Sequence, residues 1–326
     1  MADTSLSAPR GGISGWVEAG LYTLAVGALT VSYAVGHLWG AHPIAFILYA
    51  MIVSAVVMLA VTGLGADWRE VMLAPSSWVV GGAIILVEIF YYLVLAHMAP
   101  APGNLVVRIG IPLALIAGRV YVGRRQSWPA IFGAGLVTAS VVYLLSDVQS
   151  PDRWFAALWG FLTAFSFVVR NIASEFHPWN RRAETLREKI RITGLVVLVT
   201  SCMGLAAFGL ASLLQLAGVM PPTAFLPTLQ QLMHGPTVLL GIIVGTFILT
   251  AMAYLNFSSV VKITTENVIA MTAFTPVAAL LMEWLAVRAG LIKPTVLTGV
   301  VALAMTGAVA GALIIVFAQK FSRPRV

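Results

Sequence analysis

The chain has 326 residues, 60% of them apolar and 10% charged, against about 45–50% and about 25% in a soluble globular protein. Its 19 basic and 12 acidic side chains cannot form the polar shell of one large soluble domain or two ordinary ones, so a water-soluble fold is excluded and the surface faces lipid. The net charge of +7 is no nucleic-acid signature, because the basic residues fall between apolar runs or at their ends; the single cysteine, Cys202, excludes an intrachain disulfide and a cysteine-built metal site.

A polar stretch, 1–12, precedes an apolar run too long for a signal-peptide core, so that run reads as the first membrane span. A span needs about 20 apolar residues, and ten such runs follow in chain order: 15–38, 43–64, 77–99, 102–122, 127–146, 154–174, 191–218, 236–258, 265–288 and 294–318. Most connections are short, which places consecutive spans side by side. Two are longer: 177–191 is strongly charged, and 220–235 carries Pro221, Pro222 and Pro227 with a segment from Thr228 that suits a short interfacial helix.

Alternating the loops across the membrane tests the count. With the amino terminus inside, the inner segments hold Arg10, Arg69, Arg119, Arg124, Arg125, Arg181, Arg182, Arg187, Lys189, Arg191, Lys262, Lys320, Arg323 and Arg325, which is 14 of the 19 basic residues. The outer segments hold Arg153, Arg288 and Lys293, and Arg108 and Arg170 fall within spans. This bias predicts both termini in the cytoplasm and supports an even number of spans.

The chain also repeats. Moving 102–140 forward by 164 positions aligns Pro112 with Pro276, Arg119 with Glu283 and Gly135 with Gly299, and Tyr92-Leu-Val-Leu-Ala resembles Tyr254-Leu-Asn-Phe-Ser. The matches divide the chain into five-span halves, 1–148 and 149–326. Because five is odd, the second half is inverted relative to the first, an architecture of secondary transporters. Each proline lacks an N–H and predicts a bend, which gives Pro112 and Pro276 a gating role.

Ten spans in two five-span halves, each with a proline-centred fourth span followed by a short charged turn, resemble the drug/metabolite transporter superfamily, particularly its EamA-type bacterial members. The resemblance rests on 104–125, with Pro112, Gly118 and Arg119, and on 267–290, with Pro276 and Glu283. The second copy has a glutamate where the family usually has one; the first has Arg119 there. The resemblance implies a bacterial inner-membrane protein whose central cavity is lined by spans 1, 3, 4, 6, 8 and 9, with spans 5 and 10 peripheral. It also implies export.

An ionisable side chain at the bilayer centre is costly and has to face protein or water. Glu88 lies about eleven residues from the inner end of span 3, near mid-membrane at about 1.5 Å per residue, and Tyr91 and Tyr92 share its face. In span 4, Asn104, Arg108, Pro112, Leu115 and Arg119 recur at nearly helical period, Leu115 being the one ordinary apolar member. Arg108 and Glu88 differ in depth by only about 6 Å, which predicts a Glu88–Arg108 pair in the empty protein. Tyr33 in span 1 and Tyr254, Asn256, Asn267 and Thr272 in the second half complete the expected substrate-binding set. Glu88, Glu266 and Glu283 are candidates for proton coupling, although Glu266 and Glu283 stand at span ends, where solvated side chains are the norm. Arg170 and Asn171, in the last turns of span 6, read as topological anchors. His37, His42, His97 and His234 read as scattered interfacial groups and not as a metal site.

These features describe an all-α polytopic protein that moves small organic solutes by alternating access, with no nucleotide motif, cofactor or metal and no enzymatic role. Glu88 and Arg108 would suit an amino acid or related zwitterion. An importer or exchanger of quaternary amines or nucleotide-like metabolites, an intramembrane enzyme acting on lipid-linked substrates, and a receptor or scaffold are the alternatives. The expected partners are the solute, the bilayer and protons as coupling ion, in a monomer or homodimer.

Overall fold

The computed structural model describes residues 13–95, 97–223, 226–293 and 297–321. The expected tail 1–12 with Arg10, as well as Arg323 and Arg325, lies outside the described residues, as does the side chain of Lys320. Among the described residues ten helices are long and apolar enough to cross a membrane, and the fold is all-α and polytopic. They are span 1, Gly15–Leu38; span 2, Pro43–Thr62; span 3, Pro75–Leu95; span 4, Pro100–Val122; span 5, Trp128–Asp147; span 6, Asp152–Glu175; span 7, Leu186–Leu216; span 8, Gly235–Ile263; span 9, Thr265–Arg288; and span 10, Gly299–Ala318.

Local sequence explains most of the ends. Pro43, Pro100 and Pro129 occupy the first turn of their helices, where the missing N–H costs nothing. Span 7 begins with a capping box in which the Thr185 hydroxyl accepts from the Glu188 N–H and the Glu188 carboxylate accepts from the Thr185 N–H. The same device, Thr228 with Gln231, starts the short helix Leu229–Leu232 expected in the long loop. Span 4 stops at Gly123, whose φ of 72° is the left-handed conformation that glycine adopts without strain. Lipid contact is legible in the side chains left outside: Phe132, Trp154 and Phe247 are each more than two-thirds exposed.

Three spans are interrupted. Span 4 passes from α-helix Pro100–Val106 through a 3₁₀ turn Val107–Ile109 into α-helix Gly110–Val122, and span 9 does the same through Thr272–Phe274. In each case the turn stands just before the proline, Pro112 or Pro276, whose missing N–H cannot bond the carbonyl four residues back. Span 8 contains a π turn, Gly245–Leu249.

Spans 5 and 10 pack along their length, with Gly133 and Gly311 each set against the other's backbone, an approach that side chains at these positions would prevent. Span 3 packs on span 6 and span 8 on span 1; span 4 on span 6 and span 9 on span 1; span 7 on spans 2 and 3, and span 2 on span 8. Gly135 and Gly299, aligned by the 164-residue shift, do not occupy equivalent places. Gly135 lies inside span 5 and Gly299 is the first residue of span 10, so the register of the sequence match is lost after span 9.

Candidate functional site

Two cavities lie inside the bundle. The first is lined by Tyr22, Thr30 and Tyr33 of span 1, Glu88 and Tyr91 of span 3, Asn104 and Arg108 of span 4, Phe167 and Arg170 of span 6, Met252 of span 8 and Thr272 of span 9. Its walls therefore come from the six spans expected around a central cavity. The second lies between spans 1, 2, 3, 6, 7 and 8 and is walled mainly by Met51, Val80, Val196, Leu249 and Asn256 together with Tyr22, Glu88 and Arg170.

The expected Glu88–Arg108 pair is not formed. Glu88 instead accepts a hydrogen bond of 2.5 Å from the Tyr33 hydroxyl, and Tyr33 packs edge-on against Tyr91. Arg108 turns toward backbone: Nε donates to the Asn104 carbonyl at 2.9 Å and Nη1 to the Thr272 carbonyl at 2.7 Å. The Thr272 carbonyl is the one that Pro276 deprives of its helical donor, so the guanidinium satisfies an oxygen exposed by the break in the neighbouring span. Glu88 and Arg108 line the same cavity without pairing, and the broken helices supply Arg108 with acceptors that periodicity does not reveal.

Asn104 donates to the Thr30 hydroxyl at 3.1 Å, which fixes its amide beside the cavity. Asn256 donates to the Asn171 side-chain oxygen at 2.8 Å on the wall of the second cavity. Tyr92 faces a narrow crevice with Tyr33 and Glu88 and stacks obliquely on His42. Arg170, read as an anchor, is buried in both cavity walls. Its Nη2 donates to the Tyr22 hydroxyl at 2.6 Å, and its guanidinium lies 4.6 Å from the Phe167 ring centre.

The remaining candidates, apart from Glu283, collect at the face where span 1 begins, the basal face. Glu266 is buried and ion-paired with Arg124 at 2.6 Å, contrary to the expectation of a solvated end position. Arg124 also pairs with Glu175, which accepts the Thr265 N–H at 2.9 Å. Partial burial pulls the Arg124 guanidinium down, but the Glu175 and Glu266 carboxylates outweigh this and hold it above its ordinary pKa. The cluster clamps Thr264, whose φ of 75° is strained for a β-branched residue and which alone joins spans 8 and 9. Asn267 caps the same turn through the Ile263 carbonyl at 2.6 Å.

Tyr254 reaches Glu18 at 3.3 Å, and Lys262 pairs with that carboxylate at 2.6 Å. Asp67 pairs with Arg191 at 3.1 Å. Beside them, the buried His177 ring accepts the Asn180 N–H on Nδ1 and meets the Ser77 hydroxyl through Nε2 at 2.9 Å; burial pushes its pKa down to about 4. Tyr254, Asn267 and Glu266 thus belong to the basal clusters and not to either cavity. Glu283 is half-buried near the opposite end of span 9. Glu18, Tyr22, Glu175 and Arg170 were absent from the expected set; their only sequence signal is a polar group inside or at the end of an apolar run.

No family model and no curated protein matches the chain. Solved structures do. One, described only as the crystal structure of a protein, is 18% identical with a TM-score of 0.63, covering 94% of this chain and 98% of that one. At this identity the likeness speaks for the fold.

Proposed function

We propose that the protein is a secondary transporter of small organic solutes, working by alternating access in a bacterial inner membrane with both termini cytoplasmic. The observation that carries the reading is the first cavity, where Glu88, Arg108 and Arg170 stand inside the bundle beside tyrosine hydroxyls and amides. Ionisable groups at that depth are costly and are kept where a polar passenger meets them. The exchange of packing partners between spans, 3 with 6 for 8 with 1 and 4 with 6 for 9 with 1, supports two inverted halves, 1–148 and 149–326, related to the drug/metabolite transporter plan. The basic residues favour the basal face as the cytoplasmic one, and its three sets of ion pairs all join the first half to the second. These ion pairs hold the two halves together at that face.

Flux into sealed proteoliposomes tests the reading. Labelled amino acids, quaternary amines and nucleotide-like metabolites are compared with protein-free vesicles, with and without a proton gradient. Saturable flux of at least one class is expected; rates equal to the protein-free control for every class refute it.

A further inference from the structure

The two cavities share four side chains, Tyr22, Glu88, Arg170 and Met252, so whatever passes from one to the other passes Arg170. Arg170 differs from the other charged groups of the interior. Arg108 is engaged with two carbonyls and Glu88 with Tyr33, whereas the Arg170 guanidinium gives Nη2 to the neutral Tyr22 hydroxyl and keeps its buried Nε without any partner. Among the described residues no carboxylate forms an ion pair with it. Arg170 is only 7% exposed. Glu88, on the same two cavity walls, is near enough to attract it but forms no ion pair with it; a guanidinium left without a direct carboxylate partner in such a place is expensive, and its planar fork matches a carboxylate.

We propose that Arg170 is the anion-binding residue of the transport site, and that the solute is an organic carboxylate whose carboxylate docks on Arg170 at the junction of the two cavities. The inference rests on the transport reading. It assigns the anchor to a residue presented to both cavities, so the carboxylate keeps one partner while the rest of the solute exchanges one chamber for the other. The chambers suit an apolar or aromatic remainder: Leu29, Val87 and Phe167 wall the first, and Met51, Val197 and Leu249 the second.

The test uses the purified full-length protein and three probes of one shape: 3-phenylpropionate, its uncharged isostere 3-phenylpropionamide, and the cation 3-phenylpropylamine. Ligand-dependent shifts in thermal unfolding give apparent affinities. The carboxylate is expected to bind the wild type more tightly than the amide. Arg170→Gln should weaken carboxylate binding by about tenfold or more, leave amide binding unchanged, and abolish the preference. Arg170→Lys, which keeps the charge but loses the fork, should fall between. Without ligand, Arg170→Gln should have an unchanged or higher Tm, because it removes an unpaired buried cation; a lower Tm would mark a structural residue and overturn the proposal. So would equal binding of amide and carboxylate, no carboxylate-dependent shift, or a preference that survives Arg170→Gln. Proteoliposome flux separates the two readings. Flux of neutral or cationic solutes that is indifferent to Arg170→Gln leaves the transporter standing and overturns the anchor, whereas a carboxylate-selective shift without flux of any solute upholds the anchor and refutes the transporter.

Discussion

Replacing Arg124 by Gln isolates the ion-pair cluster that ties the two halves together at the basal face. Arg124 is the cation between two carboxylates, Glu175 and Glu266, which are 7% and 2% exposed. Removing it leaves two buried like charges, with Glu175 retaining the Thr265 N–H and the Oε1 of Glu266 already without a partner. Breaking a buried pair by deleting one member costs about 3–5 kcal/mol. At about 2 °C per kcal/mol for a chain of this size, the expected fall in Tm is roughly 6–10 °C. Adding Glu266→Gln removes one of the stranded charges, so the double variant should regain at least about 1 kcal/mol relative to additivity. Thermal unfolding of the wild type, both single variants and the double variant in one detergent measures the cycle. A single-variant cost below about 1 kcal/mol, or strict additivity, would refute the role of Arg124 as the neutralising charge.

Two further outcomes are expected. The folded His177 ring, with its pKa pushed down to about 4 by burial, is held neutral, whereas in the unfolded chain it titrates near about 6.5. Its contribution to stability is therefore complete above pH 6.5, on the order of 3 kcal/mol, and is lost as the pH falls toward 4; Tm profiles from pH 8 to 4 should be shallower for His177→Gln, and parallel profiles would contradict this. Gly133→Ala sets a methyl group against the backbone of Gly311 and should destabilise by about 1–3 kcal/mol or more, while Gly135→Ala, with no atom near its added carbon, should be neutral or stabilising. Equal Tm values for the two alanine variants would rule out close packing of spans 5 and 10 at Gly133.

The ten spans were legible because the bilayer fixes the length of an apolar run, and the observed helices begin and end within five residues of those runs, the differences being largest at the start of span 7, the end of span 8 and the start of span 10. The interruptions in spans 4 and 9 were legible from Pro112 and Pro276 for an equally local reason. What lies around the cavity was legible only in part. Helical rise gives the depth of Glu88 and Arg108, but packing decides which way each side chain turns, and that brought in Tyr33 from 55 residues away and the Thr272 carbonyl from 164. Arg170 looked like an anchor because it stands near the end of its span; the partner that fixes it, Tyr22, is 148 residues distant and carries no charge to advertise the contact. Glu266 likewise looked solvated until Arg124 was folded over it.

The hydrogen bond from Arg108 to the Thr272 carbonyl joins the two broken spans at their weakest points. Sliding span 4 past span 9 has to rupture it. A bond from a charged donor is worth about 1.5–3 kcal/mol, equivalent to a bias of about 10–150-fold between two shapes, one of which keeps it. That is enough to hold more than nine molecules in ten in the present shape and too little to trap them there. In the proposed transport cycle it would act as a shear pin, strong enough to favour the present shape of the bundle and weak enough to be broken and remade.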